Sequence, residues 1–239
     1  MRILLTNDDG YQAAGIAKLA EIALQIADEV YVVAPAGERS AISHGITVRD
    51  PLIVEKIDFP VPVTESYTCS GTPADCVKVA INALLAEKKP DLVISGINKG
   101  YNMGYDTVYS GTVAAARDAV YQGVKGIAVS TCDTQYELVD LYLKDILLDL
   151  LHREVLTHEI WNINFPECGE DGYRGIKETV PATYPFYLDT YKKEQVKENV
   201  WKFTLLDELC EREEGNSDFA AVEEGFISIE KLECSLLKK

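Results

Sequence analysis

The sequence predicts an α/β protein with a parallel sheet covered by helices, followed by an extended C-terminal arm or hairpin. Three observations carry this. Short, continuous apolar runs recur through the first two thirds of the chain. Segments with a helical apolar period separate them. Polar or glycine-rich residues follow each run directly. Continuous apolar strands separated by helices belong to a sheet buried on both faces, and such sheets place their sites at the carboxyl ends of the strands.

Ile3-Leu4-Leu5 is the first strand. Residues 15–27 set Ile16, Leu19, Ala20, Ala23 and Ile26 near one helical face. Val30–Ala34 is the second strand. A helix over 74–86 starts after Thr72-Pro73, where proline suits a first turn. Leu92–Ser95 is the third strand, and residues 112–122 are helical. Ile127–Ser130 is a strand, 136–151 an apolar helix and Ile160–Asn164 a late strand. Pro51–Pro62 and Gly169–Asn216 break the alternation. The second of these holds Tyr184, Tyr187, Tyr191 and Trp201 with little helical period and reads as the arm. The expected division is a domain over residues 1–166 and an extension over 167–239 that returns to the domain near 218–232.

The 239 residues carry a net charge of −16, spread along the chain. Such a field repels polyanions, so duplex nucleic acid is excluded as a partner. A small phosphorylated substrate needs a cation at the site. The first six residues are too short an apolar run for a signal peptide, and no run reaches the length of a membrane span. The six cysteines are scattered without a CxxC pair. Reduced thiols, a cytoplasmic location and no membrane partner are the expectation.

The strand ends carry the chemistry. After the first strand, Asp8 and Asp9 are adjacent carboxylates that repel each other, and a divalent cation offsets this. Asp-Asp-Gly is also good turn chemistry. The loop after the second strand holds Arg39, Ser40 and His44. Ser40 suits an oxygen ligand or a phosphate contact, Arg39 a phosphate or a carboxylate, and His44 an acid, a base or a solvated position. After the third strand, Gly96, Gly100 and Gly104 recur every fourth residue, which implies positive φ or close backbone approach. Asn98 and Asn102 in this loop offer amide groups to a hard cation or a phosphate. Ser110-Gly111-Thr112 starts a small-residue helix, either an anion seat or an ordinary cap. The ligand set Asp8, Asp9, Ser40 and Asn98 is all oxygen, which selects Mg²⁺ or Mn²⁺, with Ca²⁺ as a further option, over zinc.

Five blocks resemble the SurE survival-protein family of metal-dependent nucleotidases. They are residues 1–10 (MRILLTNDDG), 70–77 (SGTPADCV), 95–98 (SGIN), 109–116 (YSGTVAAA) and 218–229 (DFAAVEEGFISI). The resemblance implies a Rossmann-like domain with a C-terminal extension exchanged between subunits of a homodimer or homotetramer. It implies hydrolysis of nucleoside 5′- and 3′-monophosphates, with action on short polyphosphate in some members. It implies one divalent metal ion per subunit at Asp8, Asp9, Ser40 and Asn98, and phosphate contacts from Asn102 and Ser110-Gly111-Thr112. Two segments depart from the pattern, Tyr11–Gly15 and Ala36-Gly37, and neither removes a metal ligand.

On this reading, Asn98, Asn102 and the helix start hold the phosphate, while Asp8 and Asp9 serve catalysis. The nucleophile is either water activated at the metal or Asp8 itself. Two rivals have distinct signatures. An aspartyl-phosphate phosphatase needs a residue between its two carboxylates, and Asp8 and Asp9 are adjacent. A non-catalytic nucleotide-binding protein on the same fold binds without turnover.

Overall fold

The computed structural model describes residues 1–155, 157–185, 188–206, 208, 210 and 215–234. The chain runs β1 (Arg2–Thr6), α1 (Ala14–Ala23), β2 (Glu29–Pro35), β3 (Val54–Lys56), β4 (Glu65–Cys69), α2 (Pro73–Val79), β5 (Leu92–Lys99) and α3 (Gly111–Tyr121). It continues through β6 (Lys125–Thr131), α4 (Glu137–His152), β7 (Glu159–Phe165), β8 (Gly175–Glu178), β9 (Thr190–Lys197), β10 (Val200–Leu206), α5 (Asp218–Glu223) and β11 (Phe226–Glu233). Each strand and helix expected in the first two thirds is present. The α1 helix stops at Ala23, four residues early, and its tail finishes in turns. The α2 helix stops at Val79 and continues as a π turn over Ala80–Leu84.

Nine strands form one sheet in the order β3-β4-β2-β1-β5-β6-β7-β11-β8. The run β4-β2-β1-β5-β6-β7 is parallel throughout. At its far edge β11 pairs antiparallel with β7, Leu232 facing Ile160 and Glu230 facing Asn162. The segment 51–69 supplies β3 and β4, which the sequence does not announce, since Glu65–Cys69 reads Glu-Ser-Tyr-Thr-Cys, mostly polar instead of running apolar.

One face of the sheet packs against α1 and α4 through a core that includes Ile16, Leu19, Leu143 and Leu147. The other packs against α2 and α3, with Val77, Ile81, Ala115 and Ala119 on Leu4 and Val93. The approach of α1 is close: a Cβ on Gly15 would lie 2.1 Å from the Ile97 carbonyl. From β1 the chain moves outward to β2 and β4, then returns to place β5 on the opposite side of β1. This reversal opens a crevice at the carboxyl ends of β1 and β5, the position favoured by ligands in open α/β sheets.

β9 and β10 pair antiparallel as a separate two-stranded sheet, from Leu206 facing Thr190 to Val200 facing Lys197. Tyr191, Val196, Trp201, Phe203 and Leu205 are exposed on it, and Lys193 lies over the rings of Trp201 and Phe203. The Tyr187 assigned to this arm lies outside the described residues. Among the described residues no helix is long and apolar enough to cross a membrane.

Candidate active site

Asp8 sits at the exit of β1, only 5% exposed. The start of α3 closes over it. A Cβ on Gly111 would lie 3.0 Å from the Asp8 Cβ, so glycine is what lets the helix approach. Thr112 donates its hydroxyl to Asp8 Oδ1 at 2.6 Å and its backbone N–H to Oδ2 at 3.1 Å. Burial, with Asp9 beside it, pushes the Asp8 carboxyl up to about 6, against the lowering effect of Thr112. Asp9 is less buried and its Oδ2 accepts from the Lys99 N–H at 3.1 Å. Its carboxyl is also raised, by burial first and by the charge of Glu38.

The loop after β2 is held from several sides. Arg39 donates its backbone N–H to the Asp8 carbonyl and its guanidinium to the Ser70 carbonyl. Ser43 bonds Tyr109 and Val108. Thr47 gives its N–H and hydroxyl to Asp75, and Thr72 bonds the Gly45 carbonyl. Thr72 and Asp75 also form the capping box of α2, so the block 70–77 both starts a helix and fixes this loop. Ser40 donates to Glu38 at 2.7 Å, which leaves the lone pairs of its oxygen available. His44 stands apart from the cleft. It contacts buried Asp118 at 3.3 Å and stacks on Tyr121, as a latch for the loop.

β5 runs on to Lys99, four residues past the expected end at Ser95, so Gly96 lies inside it and Gly100 and Gly104 in the loop after it; all three have positive φ, 141°, 122° and 54°. Asn98 donates its amide N–H to the Gly100 carbonyl, which leaves Oδ1 as an acceptor. Asn102 is anchored on three sides. Its N–H goes to Asn164 Oδ1, its carbonyl accepts from Asn162 and Asn164, and its side-chain amide donates to Ser130. Ser110 caps α3 by accepting from the Val113 N–H at 3.1 Å.

A cleft of about 200 Å³ lies among these residues, lined by Asp8, Ser40, Asn98, Lys99, Asn102 and Ser110, with Tyr101, Asp106 and Tyr109 at its walls. It brings together most of the residues expected to form the site. Asp9 is beside it through Lys99, Gly111 behind Asp8. Thr112, expected to contact phosphate, instead directs both donors to Asp8. It is fully buried, so its hydroxyl serves the carboxylate.

The family model described as "Survival protein SurE" matches residues 3–185. The chain belongs to the SurE family. A 5′-nucleotidase SurE of Thermoanaerobacter sp. (strain X514) is 41% identical over 96% of this chain and 90% of its own length. One from Alkaliphilus metalliredigens (strain QYMF) is 39% identical over 96% and 91%. The crystal structure of the SurE protein from Aquifex aeolicus superposes with a TM-score of 0.86 at 34% identity, covering 100% of this chain and 95% of that one.

The donor set of this SurE chain suits a hard cation. Among the described residues no three His, Cys, Asp or Glu side chains cluster as a metal site. Two carboxylates, an amide oxygen and a hydroxyl remain, and burial is the first cause of the raised pKa of both Asp8 and Asp9, a cost to their charged forms that a cation would offset. Lys99 escaped sequence reasoning, although it follows Asn98 directly and supplies a positive charge at the wall. Asn162 and Asn164 also escaped it. The signal was there: two amides at a spacing of two, on one face of an otherwise apolar buried strand.

Proposed function

We propose that this chain is a phosphatase that hydrolyses nucleoside 5′-monophosphates at the cleft between β1 and β5. The observation that carries the reading is the convergence of Asp8, Ser40 and Asn98 on one cleft at the sheet's switch point. Relatives named 5′-nucleotidase SurE, alike over nearly the whole chain, support it.

In this reading one divalent cation, Mg²⁺ or Mn²⁺ first and Ca²⁺ next, is held by Asp8, Asp9, Ser40 and Asn98. Such an ion supplies Lewis-acid stabilisation of the charge on a phosphoryl group. The chain's own residues do the rest. Lys99 and the N-terminal end of α3 attract the phosphate dianion against the acidic surface of the protein. Asn102 and Ser110, fixed by their buried partners, orient its oxygens, so positioning supplies much of the rate. Asp8, buried and held by Thr112, is the carboxylate placed to accept a proton from the attacking group or to attack directly.

The cleft is small beside the roughly 300–1,000 Å³ of a site that encloses a drug-sized ligand. It accepts the phosphate and leaves the base at the rim, where Tyr109 and Val108 are exposed. Loose base selection follows, and the proposal extends to nucleoside 3′-monophosphates and short polyphosphate. The exposed apolar surface of the β9–β10 hairpin supports self-association as a homodimer or homotetramer.

Phosphate release from a panel of 5′- and 3′-nucleoside monophosphates, crossed with Mg²⁺, Mn²⁺ and Ca²⁺, tests the reading. Metal-dependent release from several 5′-monophosphates is expected. Tight nucleotide binding with no release under any metal would make this a binding protein.

A further inference from the structure

Beneath the glycine loop lies a layer of buried polar groups on the α3 face of the sheet. Toward the carboxyl end of β7, Ile160 gives way on the same face to Asn162 and Asn164. Their partners on β11 are Leu232, Glu230 and Ser228. Asp218, fully buried at the start of α5, packs into this layer, and Glu230 is 1% exposed.

Two carboxyl groups this deep cannot both ionise without large cost. Their hydrogen bonds decide which one is charged. Asp218 accepts three backbone N–H groups, from Gly104 at 2.6 Å, Ala182 at 2.9 Å and Phe219 at 2.9 Å. That set stabilises an anion. Glu230 accepts one bond on Oε1, from Asn162 at 2.8 Å, and its buried Oε2 has no donor among the described residues. With that oxygen buried and undonated, and the Asp218 carboxyl within hydrogen-bond reach of Glu230, one of the two groups carries a proton.

We infer that Glu230 and Asp218 share one proton, with Glu230 as its holder, and that this pair is the anchor that positions the glycine loop and its Asn102 for phosphate handling. The connection is continuous. Asp218 holds the Gly104 N–H at one end of the loop. Glu230 holds the Asn162 amide, and that amide donates to the Asn102 carbonyl at 2.8 Å. Both carboxyls thus act as positioning residues through other groups, and the catalytic part of the inference rests on the nucleotidase reading.

Burial, then the charge of Asp218, raises Glu230 to about 8. Asp218 is the charged group facing it from α5. From β7 it meets the neutral amide of Asn162, which also donates to the Asn102 carbonyl, while Asp218 holds the Gly104 N–H of the loop. On its own strand, Lys231 lies over Trp161 and near Glu159. A folded-state value above the unfolded one means the pair's contribution is complete at low pH and is lost as pH rises through about 8.

The test uses Glu230→Gln and Glu230→Ala in the full chain. Gln keeps the acceptor for Asn162 and gives Asp218 a permanent donor. Infrared difference spectra of the wild type should show a protonated carboxyl band at pH 7 that titrates near pH 8 and is missing in E230Q. The melting temperature of the wild type should fall relative to that of E230Q between about pH 5 and 8. With a nucleoside monophosphate substrate, E230A should lose at least about tenfold in kcat with a smaller change in KM, and E230Q should recover most of it. The wild-type to E230Q ratio of kcat should then decline above pH 8. Parallel melting curves together with no titrating band would overturn the shared proton. An E230A enzyme with unchanged kcat would overturn the positioning role. If nothing is hydrolysed by any variant, the spectra and melts still decide the pair, and only the nucleotidase reading fails.

Discussion

Thr112 spends both of its donors on Asp8, at 2.6 Å through the hydroxyl and 3.1 Å through the amide. Ser110, two residues earlier, spends its oxygen on the cap of α3. The two hydroxyls, which read alike in sequence, therefore do different work. Thr112→Val keeps the amide bond and removes the hydroxyl. A hydrogen bond to a charged group contributes about 1.5–3 kcal/mol, so Mn²⁺ affinity near pH 6.5 should fall roughly ten- to a hundredfold as Asp8 holds its proton more tightly. Ser110→Ala should cost about 1 kcal/mol of stability and leave that affinity nearly unchanged. Calorimetric titration of both variants checks this. Equal affinity for T112V and wild type would remove Thr112 from the support of the site.

Asp8→Asn should abolish turnover and stabilise the metal-free protein at neutral pH. The folded-state pKa of Asp8, about 6, lies above its ordinary value of 3.8. Its favourable contribution is therefore complete below about pH 4 and is lost as pH rises through 6. Two pKa units correspond to about 3 kcal/mol, less whatever the Thr112 bond loses on neutralisation. Melts of metal-free wild type and D8N should diverge between about pH 4 and 6, with the variant still higher at pH 8. A lower melting temperature for D8N at pH 8 would mark the Asp8-Asp9 pair as a structural turn.

Chelator should abolish phosphate release, and Mg²⁺ or Mn²⁺ should restore it. The same ions should stabilise the fold, by about 2.7 kcal/mol at a hundred times the dissociation constant. Asp9→Asn should lose most of this stabilisation, since Asp9 is one of only two carboxylates in the ligand set. Thermal shift with and without metal reads both effects. Full activity of exhaustively stripped protein would remove the metal from the proposal.

How much of this was legible in the sequence follows from the physics of each element. β1, β2, β5, β6 and β7 are continuous apolar runs because both faces are covered, so their pattern is local and readable. β4 and β8 have mixed exposure and lack that pattern. Asp8 lies just past β1 and Ser40 in the loop after β2, while Asn98 and Lys99 are the last two residues of β5, so the cleft gathers at the carboxyl ends of strands, where the α/β rule looks for it. The partners of these residues do not follow from that rule. Whether a helix-start threonine faces a phosphate or a carboxylate depends on how closely α3 approaches β1, which the Gly111 contact decides. Asp218 reaches Gly104 across 114 residues, a pairing with no local trace.

Excising the hairpin should shrink the assembly. Thr190 and Leu206 face each other in register, so a short Gly-Ser link can replace the strands between them without moving their ends. Removing the exposed Tyr191, Trp201 and Phe203 takes away most of the hairpin's aromatic surface. Sedimentation velocity should then show a smaller species than the intact chain. An unchanged sedimentation coefficient, after allowance for mass, would assign the interface elsewhere.

Gly104→Ala tests how tightly the glycine loop is coupled to the rest of the chain. Gly104 has φ of 54°, a left-handed conformation that costs an alanine on the order of 1 kcal/mol. A Cβ there would also lie 2.6 Å from the Tyr184 carbonyl and 2.8 Å from the Phe219 ring. The carbonyl belongs to backbone and cannot swing away, so overpacking adds roughly 1–3 kcal/mol. Gly123, after α3, separates the two effects. Its φ is 78°, and a Cβ there meets open space. Gly123→Ala should therefore cost only the conformational part and leave phosphate release near wild type. G104A should cost clearly more stability, and it should also lower kcat, because its amide is the one held by Asp218 and Asn102 lies two residues away. Denaturant unfolding and phosphate release on both variants provide the comparison. If G104A matched G123A in stability and in kcat, the loop would have room to shift, and the close packing of Gly104 would have no bearing on the cleft.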